Sequence, residues 1–465
     1  MLPRHFFIVI SLSFLVQSLP KVHLTLVNRK HSFYVVNLQD ASIESSDNSS
    51  SEAENLTTSK PVTDNLSVVN ITEHNDHDPT VSATSLSLEA GKNFTRSLMC
   101  YYNIPRLNDR PYAVFPEALN VSLCTHLVVC CAKVVNLTLQ PNDLNDIQFY
   151  SRIVRLKQVN PKLKILLSLE SINDDTGQSF VQMISTNSTR QRFLQSAINT
   201  LNQHGFDGIE VSWRFPCFEG PIEQRQLFVD FLHEFRDYIN SNHNGSSMLL
   251  TAAVSARKEI IDIAYHDIPA LARYLDYISL MSYDYHKFAW DTPLLGPNSP
   301  LFHMKNEIAM LRTLNVQWSA NYWYQNGMPA SKIIVGIPSY GRSYTLMNRK
   351  NHDYYDLAKG LGVTGDKGYV TFPEICEFLM RPNVTKVYNN VTAELYAYEG
   401  AEWISFENEQ SSKAKASWIL RSGFGGVALK DLNSDDAYRQ CTKPNRTGPH
   451  ISFPIARAIY ESLYS

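Results

Sequence analysis

The sequence predicts an α/β fold, a closed (β/α)8 barrel of parallel strands with crossover helices. Three observations carry this. Short apolar runs alternate with amphipathic stretches from Arg96 onward, the pattern of parallel strands joined through helices. Eight such runs follow one another, which favours a closed barrel over an open sheet. The 465 residues, 44% of them hydrophobic, suffice for one barrel of ~250 residues plus insertions.

The N-terminus opens with Arg4 and His5, followed by the apolar run from Phe6 to Val16 and then Gln-Ser-Leu-Pro. This reads as a secretory signal peptide over 1–20, because the apolar run is shorter than the ~20 residues that span a bilayer. An uncleaved type II membrane anchor is the minor alternative, and no later segment is apolar enough to span. Residues 40–92 are rich in Ser, Thr, Asn, Asp and Glu. Such a stretch buries too little apolar surface to offset chain entropy, so 21–95 is expected to be a disordered, glycosylated stalk. The barrel then occupies 96–465. Its candidate strands are Ser97–Asn103, Thr125–Val134, Lys164–Leu169, Gly208–Trp213, Leu249–Ser255, Tyr277–Tyr283, Lys332–Pro338 and Gly425–Leu429. Helical patterns such as Asp143–Gln158 and Thr189–Asn202 lie between them.

Sequons support export. Candidate glycosylation sites are Asn48, Asn55, Asn65, Asn70, Asn93, Asn120, Asn187, Asn244, Asn383, Asn390 and Asn445, whereas Asn136 reads as too close to a strand. The net charge of -3 gives no electrostatic case for nucleic acid or an anionic membrane. Seven cysteines suit an oxidising compartment, and one must stay unpaired within the chain. There is no His-Glu-x-x-His, Cys-x-x-Cys or Walker-type glycine loop, so no metal or cofactor is expected. Trp318, Tyr322, Trp323 and Tyr324 read as core packing, with an outer aromatic platform as the alternative.

The segment Gly205-Phe206-Asp207-Gly208-Ile209-Glu210-Val211-Ser212-Trp213-Arg214-Phe215-Pro216 resembles the signature of family 18 glycoside hydrolases, the chitinases, Phe-Asp-Gly-Ile/Leu-Asp-x-Asp-Trp-Glu-x-Pro. Further likenesses lie in Leu280-Met281-Ser282-Tyr283-Asp284-Tyr285-His286 and in Gly336-Ile337-Pro338-Ser339-Tyr340-Gly341-Arg342. The resemblance implies a TIM barrel with a small α+β insertion at about 345–410, between strands 7 and 8. It also implies disulfides Cys100–Cys124 and Cys376–Cys441. Cys130, Cys131 and Cys217 are then left as small buried hydrophobes.

In that signature the Glu after Trp is the proton donor, and the substrate's own N-acetyl group is the nucleophile. This chain keeps the first acid, Asp207, but carries Glu210, Ser212 and Arg214 where the pattern has Asp, Asp and Glu. An arginine stays protonated and cannot deliver a proton. Other sugar-site positions are also replaced: Cys131 stands for a Phe, Ile172 for a Trp after the third strand, and Lys430 for the Trp under the innermost sugar. Tyr101, Met281, Tyr283, Asp284, Tyr340 and Arg342 match the pattern and are candidates for carbohydrate binding, or for packing the barrel mouth.

The substituted charges suggest ion pairs in a mouth holding Asp207, Glu210, Asp284 and Glu170: Arg214 with Asp284 or Glu210, and Lys430 with a neighbouring acid. The expectation is a secreted, non-catalytic chitinase-like glycoprotein that binds chitin or related N-acetylglucosamine oligosaccharides. The alternatives are a structural or signalling glycoprotein working through an extracellular protein receptor, and a hydrolase whose acid has moved to Glu210 or Glu170.

Overall fold

The computed structural model describes residues 96–106, 113–171, 178–218, 220–242, 248–441 and 452–465, together with two short strands, Val27–Arg29 and Ser32–Tyr34. Those two pair antiparallel, so part of the segment expected to be structureless is a small ribbon. The rest of the expected signal and stalk lies outside the described residues. So do Asn48, Asn55, Asn65, Asn70, Asn93, Ile172, Asn244 and Asn445.

Eight parallel strands form the barrel: β1 (Ser97–Asn103), β2 (His126–Val135), β3 (Lys164–Glu170), β4 (Gly208–Ser212), β5 (Leu249–Ser255), β6 (Tyr277–Met281), β7 (Ile333–Pro338) and β8 (Gly426–Lys430). Each pairs with its neighbour, and β8 pairs with β1, which closes the sheet. The strands read as near-continuous apolar runs because helices cover one side and packed side chains fill the other. An added antiparallel strand, Thr138–Pro141, extends β2.

The covering helices differ from one another in length. Short 3-10 turns, Pro116–Ala118 and Val121–Leu123, make the first crossover. The pattern over Asp143–Gln158 resolves into an α-helix at Ile147–Val154 flanked by 3-10 turns. Asn187–His204 is a full helix, capped by Thr186 and stopped by Gly205 in the left-handed region. The β8–β1 seam needs Gly426, which has φ 149°; a Cβ there would lie 1.9 Å from the Ser97 carbonyl oxygen.

Between β7 and β8 a second sheet forms, running antiparallel through Ala358–Leu361, Gly341–Leu346, Glu402–Phe406, Glu394–Glu399 and Thr385–Asn389. Its first strand starts at Gly341, directly after the barrel strand. Trp403, Tyr344 and Leu295 form its own apolar cluster. Beneath it, Lys415 of the helix Glu409–Arg421 is fully buried and donates to the Glu407 carboxylate and the Ser299 carbonyl. Glu394, equally buried, accepts the backbone N–H groups of Asn298 and Ser299 at 2.7 and 3.0 Å. Disulfides join Cys100 to Cys124 and Cys376 to Cys441.

Candidate functional site

Side chains alternate along β4, so Glu210 and Ser212 face the barrel axis while Ile209 and Val211 face the helices. Trp213 follows the outer set and stacks on Phe180, ring centroids 5.6 Å apart. Glu210 is fully buried. One of its oxygens accepts from the Tyr101 hydroxyl of β1 at 2.6 Å and the Ser279 hydroxyl of β6 at 3.0 Å. The other accepts from Ser168 of β3 at 3.4 Å. Loss of water pushes this carboxyl up to about 6, with the hydroxyl bonds and the Lys430 charge opposing.

Asp207 is not in the mouth, contrary to the sequence expectation. It precedes β4 and therefore sits at the N-terminal end of a parallel barrel, the end opposite Arg214. There it accepts the Ile165 N–H at 2.8 Å and pairs with Lys157 at 2.6 Å. Its role is to fasten β4 to β3.

At the mouth, Arg214 donates to Glu170 at 3.3 Å, and its backbone N–H reaches Ser171 Oγ at 3.4 Å. The expected partners, Asp284 and Glu210, are not used. The reason is register: Glu170 lies beside Ser212 in the β3–β4 ladder, so the residue two further along leans over it. Lys430 also departs from expectation. Its ammonium sits 4.7 Å from the Tyr101 ring centroid, a cation–π contact, and it makes no ion pair among the described residues.

Asp284 is committed elsewhere. Arg342 grips both its oxygens at 2.8 and 2.6 Å, and the Tyr340 hydroxyl donates at 2.9 Å. Arg342 lies over the rings of Tyr340 and Tyr369, which stack 4.4 Å apart. Tyr283 meets Tyr340 edge-on at 6.1 Å, and Met281 ends β6 half-buried. Burial raises the phenols of Tyr101, Tyr283 and Tyr340, and Tyr101 and Tyr340 donate as neutral hydroxyls to Glu210 and Asp284. The structure thus brings Tyr101, Tyr283, Asp284, Tyr340 and Arg342 together with Arg214 and Lys430 at one end.

Cys130 and Cys131 are neighbours on β2, with their sulfur atoms brought together. Cys131 is buried, and Cys130 Sγ lies 3.6 Å from Glu170. Cys217 is buried and free. Ser168, Ser279 and Tyr369 are site residues that motif reading did not single out, and Glu170, expected in the mouth, was not expected as the partner of Arg214. The only signal for the hydroxyls was their inward parity on the strands.

Trp323 is fully buried and donates to the Ser255 carbonyl at 2.9 Å, so it is core. Trp318 and Tyr322 stack at 4.5 Å on the same helix, and both are half-buried. Among the sequons, Asn187, Asn383, Asn390 and also Asn136 are exposed, and Asn120 is half-buried.

The model of glycosyl hydrolases family 18 matches residues 97–435. Mouse chitotriosidase-1 is 33% identical over 79% of this chain and 78% of its own length. Human chitinase-3-like protein 2 is 31% identical over 82% and 95%. Among solved structures, a Trichuris suis protein described as an immunomodulatory active chitinase superposes with TM-score 0.72 at 30% identity, covering 79% of this chain and all of that one. Human YKL-39, described as a pseudo-chitinase with retained chitooligosaccharide binding properties, does so with TM-score 0.72 at 29% identity, covering 80% and 100%. With its closed eight-stranded barrel and this match, the chain belongs to glycosyl hydrolase family 18.

Proposed function

We propose that this protein is a secreted, glycosylated, non-catalytic chitinase-like protein that binds chitin or related N-acetylglucosamine oligosaccharides. The observation that carries the non-catalytic reading is Arg214, a permanent cation fixed on Glu170 where the family pattern has its acid. Neither remaining acid is a substitute. Glu210 has no solvent exposure and is held by three hydroxyls, out of the ~3 Å reach a donor needs. Glu170 is neutralised by Arg214. Binding is supported by Tyr283, Asp284, Tyr340 and Arg342, assembled at the mouth, and by the retained binding ascribed to human YKL-39. Export is supported by the apolar N-terminal run, the sequons and their exposed asparagines. No described helix is long and apolar enough to cross a membrane.

One observation favours a second reading, a glycoprotein acting through an extracellular protein receptor: Lys430 occupies the place of the stacking indole, and an ammonium offers a sugar no ring face. Two measurements test the proposal. The protein should release nothing from a chromogenic chitooligosaccharide, and calorimetric titration with chitin oligomers should show affinity rising with length. Turnover would overturn the non-catalytic reading. Absence of heat at millimolar sugar would leave the receptor reading.

A further inference from the structure

At two points of the barrel mouth, Arg214 and Lys430, the cation lies outward and the nearest described carboxylate lies beneath it. The Arg214 side chain is 49% exposed over a Glu170 side chain that is 7% exposed. Lys430 is half-buried on the Tyr101 ring, and the acid it faces, Glu210, has no exposed surface. At a third pair among the described residues the order is reversed, the Asp284 side chain being 31% exposed and that of Arg342 16%, but Arg342 occupies both carboxylate oxygens. Arg214 engages Glu170 through one nitrogen, not as a bidentate fork. At Arg214 and Lys430 an arriving ligand therefore meets positive charge first, while the negative charge beneath is recessed.

Depth decides what such a layer attracts. A recessed carboxylate neutralises the site at long range but cannot hydrogen-bond a ligand. An outer guanidinium or ammonium can. A neutral oligosaccharide gains little from either cation and lacks an indole to stack on at Lys430. A sugar carrying a carboxylate or sulfate gains charge-assisted bonds from both.

Resting on the reading of the mouth as an oligosaccharide site, we infer that its ligand is an anionic amino-sugar oligosaccharide, with its carboxylate or sulfate groups engaged by Arg214 and Lys430. The test titrates the full secreted chain with three probes of equal length. These are chitotetraose, a tetrasaccharide alternating glucuronate and N-acetylglucosamine, and O-sulfated chitotetraose. At least one anionic probe should bind about tenfold more tightly than chitotetraose at low salt, the worth of two partly exposed charge contacts. The advantage should shrink toward unity near 1 M salt, where the screening length is ~3 Å. Which anionic probe wins separates carboxylate from sulfate. K430Q should remove most of the advantage.

Equal or tighter binding of chitotetraose overturns the inference and leaves the sugar-binding reading standing. If no probe binds, both fall. A preference that survives in folded K430Q places the anion elsewhere and also overturns it. The wild-type comparison and its salt dependence stand without any variant, so a K430Q that does not fold changes nothing.

Discussion

Glu210 is held by hydroxyls from three other strands of the barrel, and that grip has a measurable consequence. Its carboxyl is raised from 4.5 to about 6 by burial, so the folded protein binds this proton more tightly than the unfolded chain does. The associated stability is fully present below pH 4.5 and is lost as pH rises through about 6. A shift of this size is worth about 2 kcal/mol. Glu210→Gln carries no proton, so between pH 4.5 and 7 the wild type should lose about 2 kcal/mol relative to the variant. Denaturant unfolding at the two pH values measures this. An unchanged difference would show that the three hydroxyls fully compensate the ionised form. The residue scale was also the least legible in the sequence. Parity along β4 placed Glu210 and Arg214 on one face, but their partners depend on which residue of β3 stands alongside, and that register is not written in either strand alone. Asp207 was misplaced although its position before the strand, at the end opposite the chemistry, could have been read from order alone.

At the element scale, the strands from Ser97 to Lys430 follow the apolar runs to within a couple of residues, because burial on both faces leaves a plain sequence mark. The Asp143–Gln158 pattern did not become one helix, since 3.6-residue periodicity does not distinguish an α-turn from a 3-10 turn at its ends. Two elements offer sharp tests. Lys415 links its helix to the second sheet through buried Glu407 and the Ser299 carbonyl, with Glu394 nearby. Burial raises both carboxyls, and the lysine charge opposes that rise. Lys415→Met removes the cation from beneath them and should cost about 3–5 kcal/mol in chemical unfolding. A loss below ~1 kcal/mol would show that the carboxyls protonate without penalty. Gly426→Ala should cost at least about 2 kcal/mol, since the methyl group meets the Ser97 carbonyl at a positive φ. A neutral result would mean the β8–β1 seam can separate without loss.

For the whole molecule, closure by strand pairing is reinforced covalently. Cys100–Cys124 ties β1 to the approach to β2, across a sequence separation of 24, and Cys376–Cys441 spans 65. By loop entropy each is worth about 3–5 kcal/mol. A thiol reductant should therefore lower the thermal midpoint by several degrees, and serine at Cys376 and Cys441 should reproduce part of the fall. An unchanged midpoint would show that the strained or restricted unfolded chain carries none of this stability.

The two ends of β4 answer to different demands. Asp207 holds the foot of the strand by bonding the chain and two lysines, so altering it endangers folding. Arg214 stands at the rim, where a replacement needs only one compatible neighbour, Glu170. The rim can therefore change one residue at a time while the foot keeps the strand in place. The architecture of the barrel and the identity of its rim are thus separable, and the one can persist while the other is rewritten.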